Sequence, residues 1–204
     1  MSRTVSNKND ARYRNTHAQI EKVFWELLKE EGFPKITIRQ ITERTGYNRG
    51  TFYLHAQDKY NLLEQIETNL YEAMMEGLNV IDLRSLQIGL QSPFSSLMLH
   101  SKRYVMQNKE QIMLLAQPDC DPLFFRKYMD KVRSRLFPEE SLLSVEQQYA
   151  LSLMESIIIG FLSEWISRDM QETPEEYAAI VIQLTAKTKL ISILDVFSSD
   201  NISS

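Results

Sequence analysis

Cysteine is almost absent from this chain of 204 residues, in which Cys120 is the only one. One cysteine cannot form an intramolecular disulfide, and it excludes a zinc site built on several Cys ligands. No apolar run reaches the length of about 18 residues that indicates a transmembrane helix. The polar N-terminal stretch MSRTVSNKNDARYRN lacks the apolar segment of a secretory signal. These absences together predict a cytoplasmic protein.

Glycine and proline are scarce, with six of each, and they fall mostly where helices should end. The apolar residues between them recur at helical spacing, as in THAQIEKVFWELLKEEGF, and no strand-like alternation is present. The pattern predicts an all-α fold. His17 and His100 have no metal partner at useful spacing, so no metal site is predicted.

Charge is divided unevenly along the chain. Residues 1–60 hold eleven Lys and Arg against seven Asp and Glu, a net +4, whereas the remaining residues sum to −8. A basic N-terminal part on an acidic body is typical of a protein that meets a polyanion with that part alone. Chance unevenness would give the same asymmetry, so charge by itself does not decide the point.

Helix caps near the N-terminus predict two short helices after a longer one. Thr16 and Gly32 stand where the first helix should begin and end. Thr37 is predicted to cap IRQITERTG, and Asn48 to open RGTFYLH. Gly46 lies between these two helices, where glycine permits the left-handed backbone of a tight turn. This is the layout of a helix-turn-helix.

The second short helix has residue types that suit DNA recognition. Arg49 can donate two hydrogen bonds to a guanine edge, and Gly50 removes a side chain at the contact face. Phe52 is expected to point into the core. Lys59 adds a positive charge near the next helix N-terminus, whose backbone donors suit a phosphate. Donors for phosphate oxygens follow at Thr51, Tyr53 and His55.

The stretch ITIRQITERTGYNRGTFYLHAQDKYNLLEQI resembles the DNA-binding domain of the TetR family of bacterial transcriptional regulators. The resemblance covers residues 14–74 and includes Gly32-Phe33, Ile36-Thr37 and the TFYLH…DK pattern at 51–59. It implies a DNA-binding domain over 10–57 and a helical regulatory and dimerisation domain over 58–200. In the family, the positions of Arg39 and Arg49 tend to read bases. Those of Thr37, Thr51, Tyr53, His55 and Lys59 tend to hold phosphates.

Two positions depart from the usual motif. The family commonly has an aromatic residue after the motif histidine, whereas this chain has Ala56, a smaller residue that would loosen the packing of the third helix on the fourth. Tyr47 stands where a small aliphatic residue is common, and it suits either DNA contact or simple packing in the turn. The predicted DNA-binding residues are therefore Thr37, Arg39, Tyr47, Arg49, Gly50, Thr51, Tyr53, His55 and Lys59.

The last two long helices predict a dimer. Thr173 as N-cap and Pro174 at the first helical position mark the start of the final helix. The two helices carry more apolar surface than a lone pair can hide, and Gly160 would permit close helix approach, within the chain or between two chains. Two-fold pairing would set the recognition helices about 34 Å apart, which predicts a pseudopalindromic operator. The predicted interface is Met154, Ile158, Phe161, Leu162, Trp165, Val181, Leu184, Thr188 and Ile191.

A small-molecule pocket is implied by the resemblance, since the C-terminal helices of TetR proteins often hold one. Met and aromatic residues that could line a cavity for an apolar or amphipathic effector, or simply form the core, are Met74, Met98, Tyr104, Met113, Phe125, Tyr128, Met129 and Trp165.

Function follows from these features as two alternatives. The first is a homodimeric repressor that an effector releases from its operator. The second is a co-activator controlled by a protein partner, since the 47–60 stretch is similar to the branch that contains the activator of the dihydroxyacetone kinase operon. An enzyme is not expected, because the chain lacks a glycine-rich phosphate loop, a G-x-S-x-G elbow and an H-E-x-x-H motif.

Overall fold

The computed structural model describes residues 3–76, 104–136 and 143–188, with side chains over 11–75, 104–135 and 143–188. Every regular element in these ranges is helical, which confirms the all-α prediction. The predictions for Met98, His100 and Ile191 lie outside the described residues. The helices are α1 (Arg3–Glu31), a 3-10 turn (Phe33–Lys35), α2 (Ile38–Thr45), α3 (Arg49–Tyr53), α4 (Lys59–Glu76), α5 (Lys109–Leu115), α6 (Phe124–Leu136), α7 (Val145–Ser167) and α8 (Pro174–Lys187).

Helix α1 begins at Arg3, so the prediction that Thr16 is its N-cap is wrong. Neither glycine nor proline occurs before Gly32, so nothing in the early sequence stops a helix. The ring of Tyr13 also stacks on that of His55, which gives the added turns a tertiary contact. At the other end, the Gly32 N–H donates to the Leu28 carbonyl at 3.1 Å, and the chain leaves α1 there as predicted.

Side-chain caps fix the starts of the later helices. The Asp58 carboxylate accepts the Asn61 N–H at 2.7 Å where α4 begins. Ser144 caps α7 through a capping box with Gln147. Thr173 caps α8 in the same way with Glu176, directly before Pro174, which confirms the predicted start. The hydrogen bonds from Thr173 lower the pKa of Glu176.

The first of two compact units comprises residues 1–70 together with 110–122. Its core is the apolar face of α1, closed by α2, α3, α4 and α5. The core residues of this unit that are exposed by 1% or less are Ile20, Phe24, Leu27, Ile36, Ile41, Phe52, Leu62, Ile112 and Leu115. Full burial of a large apolar side chain contributes about 1.5–3 kcal/mol, so these residues supply much of the unit's stability.

The second unit comprises residues 71–109 and 123–204. Tyr71 at the end of α4 donates its hydroxyl to the Phe124 carbonyl at 2.8 Å and packs on the ring of Tyr128. Between α7 and α8, the rings of Trp165 and Tyr177 stack with centroids 4.4 Å apart. The predicted functional division into 10–57 and 58–200 stays a prediction.

Helix α7 has an unusual composition. By length and hydropathy it is the one helix in the described ranges apolar enough to cross a membrane, a property that core helices of soluble proteins share. Only 22% of its apolar window is buried within the chain. Glu155 near its middle lies 3.3 Å from Arg133 of α6, which ties one face of α7 to its neighbour. The large apolar side chains that α7 exposes are Val145, Tyr149 and Leu153.

Candidate nucleic-acid interface

The helix-turn-helix is built by three local features of the sequence. The Thr37 hydroxyl accepts the Gln40 N–H at 3.2 Å, and the Gln40 side chain accepts the Thr37 N–H at 2.8 Å, which starts α2 with a capping box. Gly46 then turns the chain with φ 72° and ψ 10°, the left-handed conformation that glycine adopts without strain. Asn48 caps α3, as predicted from the sequence.

Helix α3 presents an open, cationic N-terminal end. Arg49 is its first residue and is exposed, and no hydrogen bond or ion pair holds its guanidinium within the described ranges. Gly50 is also exposed. A Cβ built at Gly50 would lie 3.1 Å from Asn48 Oδ1, so this glycine leaves room for the capping oxygen. Tyr53 is 54% exposed, while Phe52 between them is fully buried as predicted.

Arg39 is placed on α2 with its side chain in solvent. Its Nε donates to Glu43 Oε1 at 2.7 Å, a pair one helical turn apart. This hydrogen bond raises the pKa of Arg39, so the guanidinium is charged at any pH of interest. An exposed pair of this kind is worth little in water. Arg39 can therefore give up its hydrogen bond to Glu43 and bind a base edge or a phosphate at little energetic cost.

Lys59 has a different environment from the one expected. Its Nζ donates to the carbonyl oxygens of Phe33 and Pro34 at 3.0 and 3.1 Å, and it lies 4.7 Å from the centre of the Phe33 ring. Partial burial lowers the pKa of Lys59. The side chain thus ties the start of α4 to the 3-10 turn, while the phosphate contact remains a prediction for the backbone donors or a rearranged Lys59.

His55 is 7% exposed, so its ring lies behind the surface. Tyr13 and His17 of α1 pack against it, with ring centroids 4.1 and 5.5 Å away. Burial, and secondarily the charge of His17, lower the pKa of His55. Sequence reasoning missed this cluster, although the i, i+4 spacing of Tyr13 and His17 was a usable signal. The phosphate contact predicted for His55 would require its ring to leave this place.

The remaining predicted DNA contacts are Tyr47 and Thr51. Tyr47 is half-buried in the turn, with its N–H 3.4 Å from Thr45 Oγ1, a position compatible with packing and with contact. Thr51 is half-buried, and its hydroxyl donates to Asn48 Oδ1 at 3.3 Å. The exposed members of the predicted set are therefore Thr37, Arg39, Arg49, Gly50 and Tyr53.

The predicted pocket residues divide between the two units. Tyr104 is half-buried in the second unit, whereas Met113 is half-buried in the first. The Tyr128 hydroxyl is so deeply buried that its pKa is raised. The buried members of the predicted pocket are Met74, Phe125, Tyr128, Met129 and Trp165. Their role in lining a ligand cavity stays a prediction.

The predicted dimer residues also differ in accessibility. Leu162, Trp165 and Val181 are buried within the chain, which removes them from any surface open to a second copy. Met154, Ile158 and Phe161 are half-buried, and Leu184 and Thr188 are exposed. Large exposed apolar side chains that the prediction omitted lie on the same two helices, at Val145, Tyr149, Leu153, Ile180 and Ile182.

Comparison with known proteins gives matches in both parts of the chain. Residues 23–66 match the family described as bacterial regulatory proteins, tetR family, and residues 94–187 match a transcriptional regulator C-terminal region of the TetR group. Together the matches cover more than half of the chain. A 64-residue stretch, 31% of the chain, is 33% identical to the uncharacterized HTH-type transcriptional regulator YxbF of Bacillus subtilis (strain 168), of which it spans 16%.

The capped α2–turn–α3 arrangement lies inside the first of these matches, and α5 to α8 lie inside the second. Geometry and sequence comparison therefore agree over both parts. The chain belongs to the TetR family of bacterial transcriptional regulators.

Proposed function

We propose that the protein binds a pseudopalindromic DNA operator as a homodimer and represses transcription there until a small-molecule effector releases it. The observation that carries the DNA part is the open end of α3. Arg49 and Gly50 are exposed at its start, and Tyr53 is 54% exposed at its end. An arginine fork beside a residue without a side chain suits a guanine edge in the major groove. A regulator of this kind would act in the cytoplasm.

The homodimer is supported by the apolar surface of α7 and α8. Val145, Tyr149 and Leu153 follow one another at i, i+4 spacing on α7 and are 69%, 75% and 48% exposed. Ile180 and Leu184 have the same spacing on α8, each 42% exposed. Exposed apolar stripes on neighbouring helices mark association surfaces. A second copy of the chain, related by a two-fold axis, would cover them.

The effector is supported by the composition of the second unit alone. Met74, Tyr128 and Met129 are buried there among further aromatic residues. Flexible Met side chains beside aromatic rings adapt to apolar ligands. An effector needs about 5.5 kcal/mol of differential affinity to move a two-state population from 1:99 to 99:1, an amount within reach of one buried ligand.

The test is a titration of the purified protein against a short duplex from its own upstream intergenic region, at two salt concentrations. We expect saturable binding of one or more dimers, with an affinity that falls steeply as salt rises. The double variant Arg49→Ala, Tyr53→Ala should lose binding, while Lys22→Ala, which removes an exposed cation from α1, should keep it. Equal, weak binding by all three proteins to any duplex would contradict the proposal.

The same titration separates the modes of control. Small apolar compounds that release the duplex support the effector, and transcription from the bound promoter should then rise. Release by a protein alone, or transcription that falls when the protein is removed, would replace the repressor with the co-activator alternative.

A further inference from the structure

Three rings meet where α1 passes the end of the recognition helix α3. The Tyr13 and His55 rings stack with centroids 4.1 Å apart and planes 29° apart, and His17 lies 5.5 Å from His55. The Tyr13 hydroxyl donates to the carbonyl oxygen of Leu54, the residue that ends α3, at 3.5 Å. From α4, Gln65 Nε2 donates to the His55 carbonyl at 3.1 Å. Residues 54 and 55, which follow α3, are thus hydrogen-bonded by side chains of both α1 and α4.

The imidazoles of this cluster lack the partners that a charged histidine needs. His55 Nδ1 and His17 Nδ1 are buried without a hydrogen bond within the described residues. A carboxylate oxygen of Glu21 lies 3.2 Å from Nε2 of His17 and pairs with that ring. The contact from α4 is the uncharged Gln65 amide. Within the described residues no ion pair is found at His55, so a proton on its Nδ1 would be buried beside another imidazole without an anion.

Resting on the function proposed above, we propose that Tyr13 and His17 are positioning residues for DNA binding. They hold the neutral His55 ring beneath the C-terminal end of α3, and protonation of that ring loosens the recognition helix and releases DNA. Both residues lie on α1, outside the helix-turn-helix, and neither needs to touch the duplex.

The expected sign follows from burial. Burial and His17 lower the pKa of His55 from its ordinary value of 6.5, so folding favours the neutral ring. The stabilisation is complete above pH 6.5 and is lost as the pH falls through the lower folded value. The face of Tyr13 attracts an imidazolium and offsets part of this loss. DNA affinity should therefore fall on acidification.

A histidine that holds a phosphate directly gives the opposite sign. Its protonated form would bind the anion better, so affinity would rise as the pH falls. The direction of the pH dependence thus distinguishes a buried positioning cluster from a surface contact. A direct phosphate contact would change affinity around the ordinary histidine pKa of about 6.5, whereas the buried ring changes it only below that pH.

The experiment measures operator affinity of the full chain at pH 7.5, 6.5 and 5.5 and constant ionic strength. We expect the wild type to lose up to about tenfold in affinity per protomer for each pH unit between 6.5 and the lower folded pKa, since release of the recognition helix is then linked to uptake of a proton by His55. His17→Gln removes the like charge and should flatten the profile. Tyr13→Phe keeps the ring and should retain the profile, whereas Tyr13→Leu should weaken binding at every pH. His100→Gln, which replaces the third histidine of the chain, is the control.

Proton NMR of the His55 ring in the DNA-free protein, assigned with His55→Gln, gives a readout that does not depend on an operator. We expect titration below pH 6.5 and a return toward the ordinary pKa in Tyr13→Leu. A rise of affinity on acidification, or a flat profile while His55 titrates, overturns the inference. Loss of all DNA binding at pH 7.5 with the NMR result intact would contradict the proposed function instead. Thermal unfolding identifies any variant that fails to fold.

Discussion

Asn48 Oδ1 accepts the backbone N–H of Thr51 at 2.8 Å and so holds the first turn of a recognition helix of only five residues. A helix this short has almost no stability of its own, because nucleation is costly. The cap and the buried Phe52 ring therefore stabilise α3 in addition to the contacts at its C-terminal end.

This relationship predicts that stability and DNA binding can be separated at Asn48. Asn48→Ala should cost about 1 kcal/mol of unfolding free energy and reduce DNA affinity. Asn48→Asp keeps a cap of equal quality and should unfold within about 0.5 kcal/mol of wild type. Its carboxylate would nevertheless face phosphates beside Arg49, so DNA affinity should fall at least as far as in the alanine variant. Chemical denaturation and a binding titration on both proteins check this, and equal affinities for Asn48→Asp and wild type would contradict it.

Glycine substitution should have opposite effects at two positions. Gly46→Ala places a side chain at φ 72° and should cost about 1–2 kcal/mol, although a Cβ there meets nothing within 4 Å. Gly160→Ala lies inside α7, where the added Cβ also meets nothing, and should stabilise the protomer by about 1 kcal/mol. Thermal unfolding compares the two variants. A loss at Gly160 that depends on protein concentration would show instead that a partner helix packs against it.

Charges placed on the exposed apolar stripes should separate the subunits. Leu153→Lys on α7 and Ile180→Lys on α8 each put an ammonium group on a surface that we assign to the partner, and a buried unpaired charge opposes association. Sedimentation equilibrium should show a dimer dissociation constant raised by at least tenfold. Ser163→Lys and Gln183→Lys are the matched controls, because both residues are exposed and polar on the same helices. An unchanged constant in all four variants would exclude this surface.

The partly buried Arg133–Glu155 pair predicts a pH-dependent loss. Burial raises the pKa of Glu155, and Arg133 offsets part of that rise. Arg133→Met removes the offset, so the folded state should then favour the protonated carboxyl group more strongly. The variant should lose about 1–3 kcal/mol at pH 8 and less at pH 5, because a carboxyl with a raised pKa stabilises the fold below its ordinary pKa and loses that effect as the pH rises.

A double variant is the control for this pair. Arg133→Met with Glu155→Gln removes both charges of the pair and should unfold close to wild type at both pH values. Denaturation at pH 5 and pH 8 measures all three proteins. A loss in Arg133→Met that is equal at the two pH values would contradict the assignment to the Glu155 charge.

Local signals in the sequence were sufficient for the helices that begin with strong caps. Thr37, Asn48 and Thr173 each cap the helix that follows, and Gly46 adopts the left-handed turn. Each of these depends on a hydrogen bond or a backbone angle within three or four residues. Such contacts can be read from spacing alone.

Long-range contacts could not be read in the same way. Thr16 resembles an N-cap, yet α1 begins at Arg3, and the Tyr13 ring within the added turns contacts His55, 42 positions away. Lys59 resembles a free phosphate ligand, yet the carbonyls of Phe33 and Pro34 hold it. Trp165 and Val181 lie on apolar faces that the sequence could assign to a partner, whereas the chain itself buries them. Which of two apolar faces is covered from within depends on packing, which periodicity does not specify.

The first unit is formed by two separate segments of the chain, and this affects how the DNA-binding part can be exchanged between proteins. That unit takes in residues 110–122 as well as 1–70, and Ile112 and Leu115 are exposed by 1% and 0%. A chimera joined once, after residue 70, would carry a foreign α5 in place of these two side chains. Successful transfer of the operator preference onto a related body would therefore need a graft with three crossovers, or a body whose own α5 fills the same space. The recognition helix is specified by residues next to it in sequence, but the unit that supports it is built from two separate segments of the chain.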